Sequence, residues 1–187
     1  MSIQTWQETL VSAQVAGTLY NTYTTAKTVL PVGCLYTLPP NWWTLGKTLR
    51  MIVHAGISNR VTGPDTTTFQ LMMGSTAVVT SGAINLTTTA HTTIPAVLEC
   101  IATCYVVGTS AALRGQWMVR GQMFAMASGL ADNAAGTGWA MGPNTAPANG
   151  TAFDSTAAQT IDFFAAQSVS NAGNGIQVHQ YFVESLN

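Results

Sequence analysis

Apolar and polar positions alternate along most of this chain with a period of two, which is the pattern of strands that turn one face inward. The clearest run is KTLRMIVHAGISNRV, where Leu49, Met51, Val53, Ala55 and Ile57 share one face. Arg50, His54, Ser58 and Arg60, with Ile52, share the other. TTTFQLMMG repeats the alternation with Phe69, Leu71 and Met73, and the Gly74–Ser75 step predicts a hairpin into STAVVTSG. In IPAVLECIATCYVVG the core face is Ala96, Leu98, Cys100, Ala102, Cys104 and Val106; Val97, Glu99, Ile101, Thr103 and Tyr105 face away. ALRGQWMVRGQMFAMA sets Leu113, Gly115, Trp117, Val119 and Gly121 against Arg114, Gln116, Met118, Arg120 and Gln122. GCLYTLP, closed by Pro39 and Pro40, is a further strand.

The last two runs, QTIDFFAAQSVS and IQVHQYFVESL, predict a β-hairpin turning at Asn171–Gly175. Ile161, Phe163, Ala165 and Gln167 alternate with Asp162, Phe164 and Ala166. Val178, Gln180 and Phe182 alternate with Gln177, His179, Tyr181 and Val183. Both faces of each strand carry apolar or uncharged groups, whereas a sandwich strand needs only one apolar face. The second face, with Phe164, Tyr181 and Val183, is therefore expected against a neighbouring subunit.

These runs add up to about eight strands, with no convincing interior helix and no strand–helix alternation of the kind a parallel sheet needs. The fold class is all-β: an antiparallel β-sandwich, with eight strands in two sheets matching a jelly roll. An immunoglobulin-like sandwich is the runner-up, but its Cys–Trp–Cys pattern is missing. No fixed-period repeat points to a propeller or solenoid. Residues 1–30 read as an extended N-terminal arm and 31–187 as the sandwich domain. Within the arm, Trp6, Leu10 and Ala13 recur at helical spacing, so TWQETLVSAQ is either a short helix or a segment that docks on something. The stretch from Ser128 to Thr156 is rich in Gly, Ala, Asn and Pro and has no period, as expected of a long functional loop.

Composition sharpens this picture at one point. Of 187 residues, 47% are hydrophobic, which is ordinary, but only 7% are charged, against roughly 25% in a typical soluble protein. A bland Thr-rich surface would explain the deficit. So would a surface covered by other subunits, since interface cores are depleted in charge, and this second reading is favoured. The net charge is −1 and the six basic residues are scattered, so a nucleic-acid footprint is missing. The opening MSIQTWQETLVSAQ lacks the basic and apolar regions of a signal peptide, and no stretch approaches the ~20 apolar residues of a membrane span. Synthesis and folding in a cytoplasm are expected, with no membrane partner.

The chemistry-bearing residues are sparse. Cys34, Cys100 and Cys104 are the only cysteines; on one strand Cys100 and Cys104 would stand ~13 Å apart, beyond the roughly 7 Å a disulfide spans. Buried free thiols are expected. His54, His91 and His179 lie far apart, and none sits at metal-ligand spacing to a Cys or carboxylate, so no metal and no cofactor is assigned. Asp154 with Asp162, or Glu99 with Glu184, could form a carboxylate pair of the glycosidase kind, but turn chemistry for Asp154 in FDST and solvent-facing positions for the others are simpler. No nucleophile elbow or phosphate loop is found. No catalytic residue is assigned, and the protein is read as a non-enzyme. Adjacent Trp42 and Trp43 in PPNWWTLG point opposite ways if extended. One can enter the core while the other serves as a sugar platform or interface anchor; both packed under loops is as good a reading.

FDSTAAQTIDFFAAQSVSNAGNGIQVHQYFVESLN resembles the ends of small structural proteins of tailed bacteriophages, and LRMIVHAGISN, TTTFQLMMGSTAVV and WMVRGQMF are similar in style to their strands. The resemblance spans roughly residues 47–187 and rests on texture rather than on a catalytic motif. It implies a virion component with a jelly-roll-like sandwich, often trimeric, assembled in the host cytoplasm. The expected function is capsid decoration: a cement protein stabilising the phage head through contacts with the major capsid protein or other virion proteins. The alternative is a tail, baseplate or fibre-associated protein that helps bind host-surface glycans. Expected interface residues are Trp6, Leu10, Trp42, Trp43, Phe164, Tyr181 and Val183, with Trp6 anchoring the arm.

Overall fold

A computed structural model describes residues 7–13, 15–60, 65–124, 138–143 and 147–186. Among them the chain is a two-sheet antiparallel sandwich with no α-helix; a single 3-10 turn covers Val32–Cys34. The large sheet has eight strands. Its main path runs β1 (Gln7–Ala13), β14 (Gly175–Leu186), β5 (Thr48–Asn59), β9 (His91–Val106), β10 (Ala112–Gly121) and β11 (Gly138–Gly142). β12 (Ala148–Asn149) pairs with β10, and β2 (Tyr20–Asn21) with β14. The small sheet runs β3 (Lys27–Thr28), β13 (Gln159–Gln167), β6 (Thr66–Met73) and β7 (Thr76–Thr80), with β4 (Tyr36–Leu38) on β13 and β8 (Ile84–Asn85) on β6.

All eight strands expected from the alternation are present, and the inward faces of β5, β9 and β10 are largely as read. Leu49, Met51, Val53, Ala55 and Ile57 of β5 are buried, as are Ala96, Leu98, Cys100, Ala102 and Cys104 of β9 and Leu113, Trp117 and Val119 of β10. Val106 departs from the pattern and is 39% exposed, because β9 ends there. The core centres on Phe69, Trp117, Phe163 and Phe124, whose ring centroids lie 5.4–6.2 Å apart. Trp117 brings one polar atom inward and satisfies it by donating Nε1–H to the Val79 carbonyl at 3.2 Å. Gly74, at φ 58°, turns β6 into β7 as a two-residue hairpin requires.

Three expectations are corrected. Gln7–Ala13 is a strand, not a helix: it pairs with the free edge of β14, with a register shift between Thr9 and Val11. Leu10, Val11 and Ala13 are half-buried against the core, so a spacing that suits one helical face also suits a bulged strand. Further along the same segment Tyr20, Val29 and Leu30 are core residues. Second, β13 and β14 are not a hairpin. Each lies in a different sheet, and the connection around Asn171–Gly175 carries the chain across the sandwich. Asn174, fully buried, secures that crossing: its amide donates to Asp65 Oδ2 at 2.7 Å and its Oδ1 accepts from the Arg60 N–H at 3.0 Å.

Third, the facing of β14 changes midway. Its register against β5 shifts between Val178 and Gln180. One extra residue, His179, inverts the parity of everything after it. Tyr181 and Val183, expected on an outer face, are 1% and 0% exposed in the core, and Phe182 takes their place outside.

Candidate functional site

Among the described residues no three His, Cys, Asp or Glu side chains gather as a metal site, and no helix is long and apolar enough to cross a membrane. Cys34, Cys100 and Cys104 are free and buried, as expected; burial pushes the Cys100 thiol up, away from the reactive thiolate. Asp154 does turn chemistry: it accepts from Thr156 N at 2.9 Å and Thr156 Oγ1 at 2.6 Å, and these bonds hold its carboxyl below the usual range. Asp162 lies on the outer side of the small sheet beneath Thr28, whose hydroxyl donates to it at 2.7 Å.

The most distinctive surface is the outer side of the large sheet. Strand register lays it out in four cross-strand rows over β14, β5, β9 and β10: Leu186–Thr48–Thr103–Arg114, Glu184–Arg50–Ile101–Gln116, Phe182–Ile52–Glu99–Met118 and Gln180–His54–Val97–Arg120. β11 extends the third row with Met141. Apolar side chains recur across this face, and Phe182 packs edge-on against His54 with centroids 6.3 Å apart.

Most of the charges on the face are mutually neutralised. Arg50 Nε donates to Glu99 at 2.6 Å and its other arm lies 3.5 Å from Glu184. Arg120 approaches the second oxygen of Glu99 at 3.7 Å. Glu99 is only 6% exposed, so its carboxylate needs these partners; alone it would carry a large desolvation cost. Glu99 and Glu184, weighed as a catalytic pair, are thus bridged by one guanidinium, which suits charge neutralisation rather than proton transfer. The result is a network in which two cations and two anions are paired across three of the four rows, with Arg114 of the first row standing outside it.

A second feature lies at one end of the sandwich. Gly46 N donates to Cys104 O at 2.7 Å, Ala111 and Phe153 exchange bonds at 2.8 and 3.0 Å, and Asn41 N donates to Ser155 O at 2.9 Å. These bonds knit three connections into one cluster, from which Leu45, Val106 and Val107 project, exposed at 68%, 39% and 44%. Trp42 and Trp43 belong here. Trp43 is 4% exposed and packs edge-on against Phe153 at 6.2 Å. Trp42 is half-buried, with Lys47 Nζ 3.6 Å over its ring and donating to its carbonyl at 3.3 Å. The split into one inner and one outer tryptophan follows the sequence reading, but a lysine already occupies a face of the outer ring.

The other expected interface residues scatter. Leu10 is half-buried in β1 and Phe164 half-buried on the outer side of the small sheet, the opposite surface from Phe182. Tyr181 and Val183 are core. Trp6 lies outside the described residues. Sequence reading missed Phe182, hidden by the bulge, and the meeting of Tyr105, Arg114 and Gln116 at the β9–β10 pair. Their outward facing was legible, but the register that joins Thr103 to Arg114 was not.

No family model matches the chain, and no curated protein is similar to it. Among solved structures it is similar to the CBM2 module of the evolved Dit of Lactobacillus casei BL23 phage J-1, at 10% identity over 99% of this chain and 98% of that one, with a TM-score of 0.36. It is also similar to peanut lectin with a 9mer peptide, at 9% identity over 99% of both chains and a TM-score of 0.37. Lectin I from Ulex europaeus, in complex with the methyl glycoside of α-L-fucose, is similar at 8% identity over 97% of both chains, with a TM-score of 0.38. Such scores carry no argument about function. The fold class rests on the strand pairing itself: this chain is an all-β, antiparallel two-sheet sandwich.

Proposed function

We propose that the protein is a non-enzymatic virion structural protein, a capsid decoration protein that seats the Phe182–Met141 part of the outer side of its large sheet against other virion subunits, itself included as a homo-oligomer, most simply a trimer. The observation that carries this reading is the self-neutralised network just described. Arg50, Arg120, Glu99 and Glu184 pair with one another and leave little free charge around Phe182, Ile52, Val97, Met118 and Met141, which supply apolar contact. Interface cores have this character: depleted in free charge and enriched in aromatics and Met. The overall shortage of charge, 7% of residues, and the resemblance of the sequence to tailed-phage structural proteins support the same reading.

The test is binding to particles. Phe182→Glu and Met118→Lys each change the charge balance of the face and remove an apolar contact without touching the core. Occupancy on purified particles should fall by at least about tenfold, with thermal unfolding unchanged. Full occupancy in both variants overturns the reading. Removing residues 1–30 would not be a clean test of an arm, because Tyr20, Val29 and Leu30 are core residues; Trp6→Ala is the appropriate probe.

The alternative, a tail or baseplate component binding glycan through Trp42 or Trp43, has less to support it at those residues. Trp43 is enclosed and Trp42 is capped by Lys47.

A further inference from the structure

At the corner of the large sheet nearest the β9–β10 connection, an open cleft of about 410 Å³ lies between Ile101, Thr103, Tyr105, Arg114, Gln116 and Pro147. Ligand clefts typically span about 300–1,000 Å³. Register brings its parts together: Thr103 faces Arg114 and Ile101 faces Gln116 across the β9–β10 pair, and Asn149 of β12 faces Arg114 from the other side.

Arg114 is held ready rather than neutralised. Its Nε donates to Asn149 Oδ1 at 3.1 Å, and its guanidinium sits 5.0 Å from the centre of the Tyr105 ring. Arg50, Arg60 and Arg120 all contact carboxylates. Arg114 has no carboxylate partner among the described residues. The planar fork of a guanidinium matches a carboxylate in bidentate geometry, and its remaining nitrogens are available for one. Tyr105, 36% exposed, offers ring surface beside it. An aromatic ring with a polar tip suits a ligand that is apolar on its face and hydroxylated at its rim. Gln116 supplies an amide that can donate and accept.

We infer that this cleft binds a carboxylate-bearing pyranose, a uronic or sialic acid residue of an acidic saccharide. Arg114 takes the carboxylate, Tyr105 stacks on the sugar ring, and Gln116 bonds the ring hydroxyls. A phosphate ligand fits less well, because a single arginine stands here without the backbone N–H cradle or second cation that phosphate sites use. The inference does not rest on the virion assignment, and its test uses the isolated chain.

The experiment is protein-observed NMR titration of the full chain with trigalacturonate and with 3′-sialyllactose, each beside a neutral counterpart, carboxyl-reduced trigalacturonate and lactose. Sodium sulfate serves as a free-anion control. At least one acidic sugar should bind with saturation at the Tyr105–Arg114 resonances, about tenfold or more tighter than its neutral counterpart. Which of the two binds distinguishes uronic from sialic recognition. Arg114→Gln should remove that preference, Arg114→Lys should restore part of it, and Tyr105→Ala should weaken acidic and neutral sugars alike. Both sites are on the outer surface, so thermal unfolding should be unchanged. Absence of saturable binding by both acidic sugars overturns the inference. So does equal binding of acidic and neutral sugars, sulfate binding as tight as the sugars, or undiminished binding by Arg114→Gln.

Discussion

Asp162 and Asp65 are both largely buried carboxylates, and their surroundings push them in opposite directions. Burial raises the Asp162 carboxyl, and the hydrogen bonds from Thr28 and the Phe163 N–H only partly offset it. A raised acid contributes stability that is full below its unfolded pKa, about 3.9, and lost as pH rises through its folded value. At neutral pH Asp162 is therefore a cost. Asp162→Asn keeps an oxygen to accept both bonds, and it should raise Tm by ~2 °C at pH 7 and leave it unchanged at pH 3; a lower Tm at pH 7 would contradict this. Asp65 is held low, first by its hydrogen bond from Arg60 and then by that from Asn174. Its contribution is present above the unfolded pKa and lost as pH falls through the folded one. Asp65→Asn should lower Tm at pH 7, and the gap from the parent should close on acidification, as thermal scans across pH would report. Asn174→Ala leaves Asp65 and the Arg60 N–H each short of a partner, and a loss of about 1–3 kcal/mol is expected in denaturant titration. Gly150 is constrained by space: an added Cβ would collide with the Val78 carbonyl oxygen. Gly150→Ala, just past the end of β12, should be strongly destabilising in denaturant titration.

At the scale of elements, the bulge in β14 decides what the sandwich shows and what it hides. His179 is exposed, so His179→Ala should be tolerated. Deleting His179 instead removes the extra residue, and strict alternation would then keep Ile176, Val178, Tyr181 and Val183 together on the inward face. Cooperative unfolding is therefore expected for the deletion as for His179→Ala, measured by calorimetry; a deletion variant that no longer unfolds cooperatively would contradict the assigned register. This bulge also marks where sequence reading ended. Through the middle of β5, β9 and β10 alternation runs unbroken, with register shifts near the strand ends, so most of their inward and outward faces were legible from residue spacing. A bulge adds a residue without a composition signal. Nothing in the Asn171–Gly175 stretch distinguishes a hairpin turn from a crossing between sheets, since both need Gly and Asn. β1 was obscured for a different reason: its apolar spacing satisfies a helix, and only the open edge of β14 selects the strand.

At the scale of the whole molecule, two sheets enclose one aromatic-centred core, and the outward sides differ. The small sheet buries Asp162 beneath the Thr28 segment. The large sheet presents Phe182, Ile52 and Met118 around a closed ion-pair network. The shortage of charge is the feature that composition alone made visible; where the few charges go needed strand register. The three thiols are part of the same enclosed interior. They should resist an aqueous thiol reagent in the folded chain and react only after denaturation, and fast labelling of the folded chain would contradict the core described.

Quantitative gels of purified particles carrying either the parent chain or Phe182→Glu test the central claim most directly. The account predicts that the parent is present in many symmetry-related copies, on the order of hundreds per particle, and that Phe182→Glu is depleted at least about tenfold while remaining folded. A parent chain missing from the particles, or a Phe182→Glu chain retained at full copy number, would contradict it.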